Sequence, residues 1–296
     1  MELVRSLLFV PATREEMVEK ALERRADALI IDLEASVAPA EKERAREAAR
    51  AALERLANDH TPLWVRVNTS HELLAKPDIR AMVSPGLTGI MVPRATSANH
   101  IRYIEALLRD AEHANGVEEG KTKMIALVES AAGLLACNEI ARSSRRLAAL
   151  AFGGDDYCED LGVERTRAGH ELQFPRSQIA VSARVAGLPA IDTTYDDIND
   201  EAGLRADTET ARSVGFHGKL VIHPSQVPVV NAIFRPTPEA LEYARRVVEA
   251  HEAALERGEG ATQIEGRMID RPVAARARRL IELATAIEAR EAQSAI

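Results

Sequence analysis

Eight short apolar runs, at residues 7–10, 28–33, 63–67, 90–92, 124–128, 150–152, 188–191 and 220–222, limit what this chain can fold into. Each is continuously hydrophobic rather than alternating, the pattern of strands buried on both faces, as parallel strands are when helices cover them. Stretches of helical character separate most of the runs, among them residues 98–113, 133–141, 177–186 and 207–213. Thr13-Arg14-Glu15-Glu16 reads as a capping box for the first helix, and Pro39-Ala40-Glu41-Lys42 opens a second one rich in Ala and Arg. Eight strand-helix units over roughly 250 residues predict an α/β fold of the (β/α)8 TIM-barrel kind. An open doubly wound sheet fits less well, and the dinucleotide fingerprint GxGxxG is missing. Helices at 227–234 and 238–257 follow the eighth run, after which Gly258-Glu259-Gly260-Ala261-Thr262 reads as a polar hinge. The expected organisation is a barrel over 1–257 and a C-terminal lid and helix over 258–296.

Charge and cysteine usage narrow the function. The 46 acidic residues outnumber the 38 basic ones, leaving a net charge of −8 and no overall positive field for nucleic acid or anionic lipid. Neither is an expected partner. The two cysteines, Cys137 and Cys158, have no metal-ligand spacing and fit packing residues in a reducing cytoplasm. No signal peptide opens the sequence, and no apolar run is long enough to span a bilayer.

Barrels of this kind work at the C-terminal ends of their strands, so the polar residues that close each run are the first candidates. The second run ends in Asp32-Leu33-Glu34, the third holds Arg66 before Asn68, the fifth leads to Glu129 and the sixth to Gly153-Gly154-Asp155-Asp156. Carboxylates at the ends of adjacent strands can share one cation, and Glu129 with an aspartate of the next turn makes a hard-ion site for Mg²⁺ or Mn²⁺. Spacing leaves Asp155 and Asp156 both eligible, and it equally allows these acids to be helix caps. Arg66 sits in an apolar run and needs an anion. Asp32 or Glu34 would make it a structural ion pair, whereas a substrate carboxylate or carbonyl oxygen would make it a binding fork. His223, before Pro224, reads as structural. No Gly-x-Ser-x-Gly or Walker loop supports acyl-serine or nucleotide chemistry.

Ordered motifs run along nearly the whole chain: Arg5-Ser6-Leu7-Leu8-Phe9-Val10-Pro11, Ile31-Asp32-Leu33-Glu34, Val65-Arg66-Val67-Asn68, Val128-Glu129, Phe152-Gly153-Gly154-Asp155-Asp156, Ala190-Ile191-Asp192, Gly215-Phe216-His217-Gly218-Lys219 and Ile222-His223-Pro224. Together they resemble the citrate lyase β-subunit-like group of the HpcH/HpaI aldolase superfamily, which includes malyl-CoA, citramalyl-CoA and citryl-CoA lyases. The resemblance implies a TIM barrel that binds Mg²⁺ through Glu129 and Asp156, with Arg66 on the substrate and C–C bond cleavage as the reaction. A 3-hydroxyacyl-CoA thioester would give a 2-oxo acid and acetyl-CoA, with Asp32 and Glu34 orienting Arg66 or a water on the metal.

The first strand, with Arg5, Phe9 and Pro11, corresponds to the region that contacts CoA in the family. Gly266-Arg267-Met268-Ile269-Asp270-Arg271-Pro272 resembles the family's lid, which implies Asp270 as an acid acting on a neighbouring subunit of a homo-oligomer, a homotrimer. Two departures stand out: Ala35 replaces the last acid of a Leu-Glu-Asp motif, and Pro11-Ala12 replaces a common Pro-Gly. Two alternatives are a class II pyruvate-type aldolase that uses no CoA, and a lyase subunit or binding protein that acts within a complex.

Overall fold

Aliphatic runs with no polar alternation have no face to offer water, so they pack as strands between an interior and a helical layer. In the computed structural model, which describes residues 3–57, 60–69 and 72–293, they do so eight times. The strands are β1 (Ser6–Pro11), β2 (Ala28–Asp32), β3 (Leu63–Arg66), β4 (Gly89–Val92), β5 (Lys123–Val128), β6 (Leu147–Phe152), β7 (Ala190–Asp192) and β8 (Gly218–Val221). Each pairs in parallel with the next, and β8 returns to β1 to close the expected TIM barrel. Leu7, Ile30, Trp64, Met91, Ile125 and Leu127 fill its interior, while the intervening side chains Leu8, Leu29, Ile31 and Ile90 are buried against the outer layer.

That outer layer comprises α1 (Glu15–Leu22), α2 (Lys42–Arg55), α3 (Glu72–Met82), α4 (Ala98–Ala114), α5 (Ala131–Leu135), α6 (Cys137–Ala141), α7 (Gly154–Leu161), α8 (Gln173–Ala186), α9 (Glu201–Val214) and α10 (Gln226–Phe234). The expected capping box at Thr13 is not formed: α1 starts after Arg14, with no side chain capping it. Working caps lie elsewhere, where a short polar side chain adopts extended geometry before the first turn: Ser97 accepts from the His100 amide and Ser130 from the Gly133 amide. Between the barrel and its helices lies a closed ionic quartet. Arg176 of α8 spans Asp192 at 2.9 Å and Asp207 of α9 at 2.7 Å, and Lys219 of β8 meets both aspartates at 2.6 Å. Two cations balance two anions, which is what allows Lys219 to be fully buried.

The chain divides into two compact units, Val4–Asn231 and the residues from Ala232 onward together with Leu3. The expected boundary at 257/258 therefore falls inside the second unit. The reason is a separate small core: Ala244 and Val247 of α11 (Pro238–Glu256) pack with Ile269 and Ala277, so α11 groups with the C-terminal segment. Nor is the polar stretch after it only a hinge. β9 (Thr262–Ile264) and β10 (Arg267–Ile269) form an antiparallel hairpin, turned by Glu265 and Gly266 at φ of 51° and 75°, before α12 (Arg271–Gln293). No helix of the described residues is long and apolar enough to cross a membrane. Met1 and Glu2, where the N-terminal reading began, and the last three residues of the expected lid segment lie outside the described residues.

Gly89 of β4 is one of the glycines that allow neighbouring strands to pack this closely. A methyl on Gly89 would lie 2.4 Å from the Lys123 carbonyl oxygen and 2.5 Å from Trp64 Cζ3. Gly89→Ala is expected to cost about 1–3 kcal/mol of unfolding free energy, read from urea titrations; an unchanged midpoint would show that the strands can part without loss.

Candidate active site at the mouth of the barrel

Parallel strands deliver their C-terminal residues to one rim. Asp32 closes β2 and Arg66 closes β3, and the two are paired in register. Arg66 Nε and Nη2 each donate to an Asp32 oxygen at 2.7 Å, a two-pronged contact, and Glu34 Oε2 lies 3.6 Å from Nη1. The guanidinium also stacks 4.6 Å above the Phe9 ring. Asp32 accepts two further bonds, from the Glu34 and Ser36 amides at 2.9 Å each. Burial opposes its charge, but the Arg66 hydrogen bonds and charge, with those amides, outweigh burial and hold Asp32 below the usual carboxylate range. The same pairing overcomes burial to raise Arg66 further above its ordinary value. Lys42 donates to the Leu33 and Glu34 carbonyls at 2.8 and 2.7 Å and so pins the loop that carries Glu34.

Across the mouth Glu129 is only 4% exposed. Its Oε1 accepts from the Arg94 amide at 2.6 Å, delivered by a residue in the left-handed region at φ 49°. A methyl on Gly153 would fall 2.5 Å from Glu129 Oε2, so the first glycine of the Gly-Gly-Asp-Asp turn makes room for this carboxylate. Burial, reinforced by the charge of Asp156, pushes Glu129 up to about 8 against the opposing Arg94 amide and Arg66 charge. Asp155 is committed elsewhere, to Arg165 at 2.6 Å and to the Thr194 hydroxyl at 3.2 Å. Asp156 instead meets Arg94 Nη2 at 3.4 Å. The helix-cap alternative does not hold, since Ser130 caps α5 and no side chain caps α7.

Glu129 and Asp156 thus suit a hard divalent cation: all-oxygen donors, one of them buried without enough positive charge to keep it ionised near neutral pH. Among the described residues no three His, Cys, Asp or Glu side chains converge on a closed metal cage.

Other expected residues are distributed unevenly. Arg5 precedes β1, at the end of the barrel opposite the mouth, where its buried guanidinium and amide bind Asp27 at 2.8 Å. That corrects its expected place in a CoA region. Phe9 lies beneath Arg66, and Pro11 ends β1 at the rim. Asp270 belongs to the second unit, where its Oδ1 caps α12 by accepting from the Val273 amide at 3.2 Å. His223 bonds Ser225 at 2.8 Å, a local contact. Cys137 and Cys158 are buried free thiols, Cys137 pushed up to about 11 by desolvation, as packing residues should be. Sequence reading missed Lys42 and Arg94; the signal for Arg94 was a basic residue two places beyond the fourth apolar run, at Val92-Pro93-Arg94.

Residues 5–224 match the family model for HpcH/HpaI aldolase/citrate lyase. The chain is 37% identical over 282 residues to the citrate lyase subunit beta of Leuconostoc mesenteroides subsp. cremoris, covering 95% of this chain and 93% of that protein. It is 33% identical over 285 residues to a (3S)-malyl-CoA thioesterase of Cereibacter sphaeroides, covering 96% of each. Among solved structures, CitE of Mycobacterium tuberculosis in complex with magnesium, acetoacetate and coenzyme A superposes with a TM-score of 0.78 at 33% identity, covering 96% of this chain and 98% of that one.

The Asp32–Arg66 pair sets an acid-sensitive stability. A carboxylate held below its unfolded value contributes stability that is present above that value and lost as pH falls through the folded one. Asp32→Asn should cost about 3–5 kcal/mol at pH 7. The gap to wild type should close below about pH 4. A gap independent of pH between 7 and 3 would mean that the charge of Asp32 is not what matters.

Proposed function

The chain belongs to the HpcH/HpaI aldolase/citrate lyase family and is a carbon–carbon lyase by that membership; we propose that it cleaves, or in reverse forms, a 3-hydroxyacyl-CoA thioester of the malyl-, citramalyl- or citryl-CoA kind, giving a 2-oxo acid and acetyl-CoA. The observation that carries this reading is the presence, at one mouth, of a buried glutamate with a half-exposed aspartate close enough to raise its pKa, and of a guanidinium fixed by two hydrogen bonds. Glu129 and Asp156 would hold Mg²⁺, or Mn²⁺, which would supply Lewis acidity to the oxygens of the substrate. Arg66 faces the thioester oxygen, where enolate charge develops as the bond between the α and β carbons breaks. Its Nε and Nη2 are already committed to Asp32, so the Nη1 edge is the one offered to substrate. Glu34, beside that edge, orients it.

For CoA, the structure offers a surface cleft of about 780 Å³ between the loops after β1 and β2, whose lining includes Thr13, Ser36, the arginines Arg14 and Arg44 and the acids Glu16 and Glu41. Glu16 and Glu41 offset the charge of Arg14 and Arg44, and Arg44 is paired with Glu41 at 3.0 Å, so the cleft offers a phosphorylated tail individual guanidinium donors rather than a net positive charge. Arg14 and Arg44 replace Arg5 as the basic residues on that side. Asp270 is the acid that protonates the enolate carbon, and we place the lid that carries it over a neighbouring subunit of a homotrimer. The buried free thiols favour a cytosolic setting.

Turnover of a 3-hydroxyacyl-CoA panel should vanish in EDTA, return with Mg²⁺, and stay absent in Glu129→Gln and Asp156→Asn. Full activity in EDTA or in both variants would end the metal reading. Cleavage of hydroxy-oxo acids without CoA would turn the reading to the pyruvate-type aldolase. Arg66→Lys should fold yet lose activity by about 2.7–4 kcal/mol of transition-state stabilisation, because a point charge cannot both grip Asp32 and reach an enolate oxygen. Asp270→Ala and Arg66→Ala proteins, each nearly inactive, should regain activity when their subunits are exchanged. No recovery after demonstrated exchange would put Asp270 in cis or leave it as a cap of α12.

A further inference from the structure

Among the described residues, three other than glycine have positive φ: Arg25, Arg94 and Glu265. Arg25 and Glu265 occupy turns. Arg94 stands at the rim after β4, where the left-handed conformation costs about 1–2 kcal/mol and needs compensation. What it achieves is twofold. The main-chain amide is aimed at Glu129 Oε1, at 2.6 Å, and the side chain starts from a point where its guanidinium reaches Asp156 Oδ1, at 3.4 Å. The amide tethers the residue, but the guanidinium is about half exposed and engages Asp156 through one long contact. A five-donor group so loosely held beside two carboxylates is a counter-ion rather than a structural tie.

We propose that Arg94 exchanges partners as the site fills: its guanidinium holds Asp156 in the metal-free protein, releases it when a divalent cation is bound, and then binds a carboxylate of the 2-oxo acid. The proposal rests on the metal site and substrate class argued above. Charge balance gives the order of events. A divalent cation held by Glu129 and Asp156 would repel a guanidinium on Asp156. An anionic substrate reaching the same mouth meets the freed fork within the radius set by the tethered amide, and arginine's paired donors match a carboxylate.

Two binding measurements on the full chain, neither needing turnover, test it: Mn²⁺ titration followed by electron paramagnetic resonance, and calorimetry of oxaloacetate with Mg²⁺ present. Arg94→Gly keeps the amide and suits φ 49°, so it should fold at least as stably as wild type. It should bind Mn²⁺ about two- to five-fold more tightly, the range expected for removing an exposed ion-pair competitor. Oxaloacetate should bind about ten-fold or more weakly, as when a charge-assisted hydrogen bond is lost. Arg94→Gln should repeat both shifts with the side-chain bulk kept, and Arg94→Lys should restore Mn²⁺ affinity while regaining only part of the oxaloacetate affinity. A purely structural role would weaken both ligands together, and that result, or an unchanged oxaloacetate affinity, overturns the proposal. Glu129→Gln and Asp156→Asn separate the two levels. If both keep wild-type Mn²⁺ binding, the metal reading fails and the exchange falls with it; if both lose it while Arg94→Gly binds Mn²⁺ as wild type does, the exchange alone is wrong.

Discussion

Eight strands that all run in one direction must all end at one rim. Everything distinctive about this molecule follows from that constraint. The sequence distributes its strand-end acids and bases over residues 32 to 156, and parallel closure gathers them at a single mouth. Two carboxylates there meet opposite fates. Asp32, gripped by Arg66 and two amides, is held below its ordinary range, whereas Glu129, buried beside Asp156, is pushed up to about 8. One is spent on orienting a guanidinium; the other holds a proton near neutral pH unless a positive charge comes to it. Environments that drive like groups apart in this way assign them different work.

The outer face of the same barrel shows what a finished ionic arrangement looks like. Arg176, Lys219, Asp192 and Asp207 close on one another in short contacts with no charge left over. Such a quartet locks β7 and β8 to α8 and α9 and offers nothing to a ligand. Asp192 and Lys219 belong to the motifs that carried the family resemblance, yet their task is to hold the frame. The mouth differs in kind, because its acids exceed its bases and its arginines are not equally satisfied.

Strands were legible because burial on both faces leaves an unbroken apolar run, and every run from residue 7 to residue 222 became one. Local chemistry was less so. Thr13 has the right neighbours for a capping box, but the chain leaves β1 with Arg14 in the capping position, a choice made by the strand's exit path. The hairpin at Thr262–Ile269 was hidden because its strands are three residues each and its turn, Glu265-Gly266, resembles any polar linker. At the site, sequence spacing could not choose between Asp155 and Asp156; Arg165, from a loop ten residues on, decides it by claiming Asp155. Arg5 misled for a simpler reason: it lies on the first strand's entry side, and a motif has no ends until the strand has a direction. Arg94 showed only as a basic residue just past the fourth run, since its contribution depends on a backbone angle that no spacing reveals.

Arg66 shows why the arrangement calls for arginine. Its Nε and Nη2 are fixed by both oxygens of Asp32, its plane rests on Phe9, and Asp32 is in turn held by the amides of the loop that Lys42 pins. Each restraint removes a freedom that would otherwise be lost when charge develops on a substrate. The Nη1 edge therefore points where it must before any ligand arrives, and in the proposed reaction no reorganisation accompanies the forming enolate. Ala35, where the family resemblance implies an acid, fits the same logic. The loop keeps its shape through Asp32 and Lys42, so a methyl at position 35 leaves Arg66 held as it is. Compared with an acid at that position, Ala35 leaves one negative charge fewer on a rim whose acids already exceed its bases.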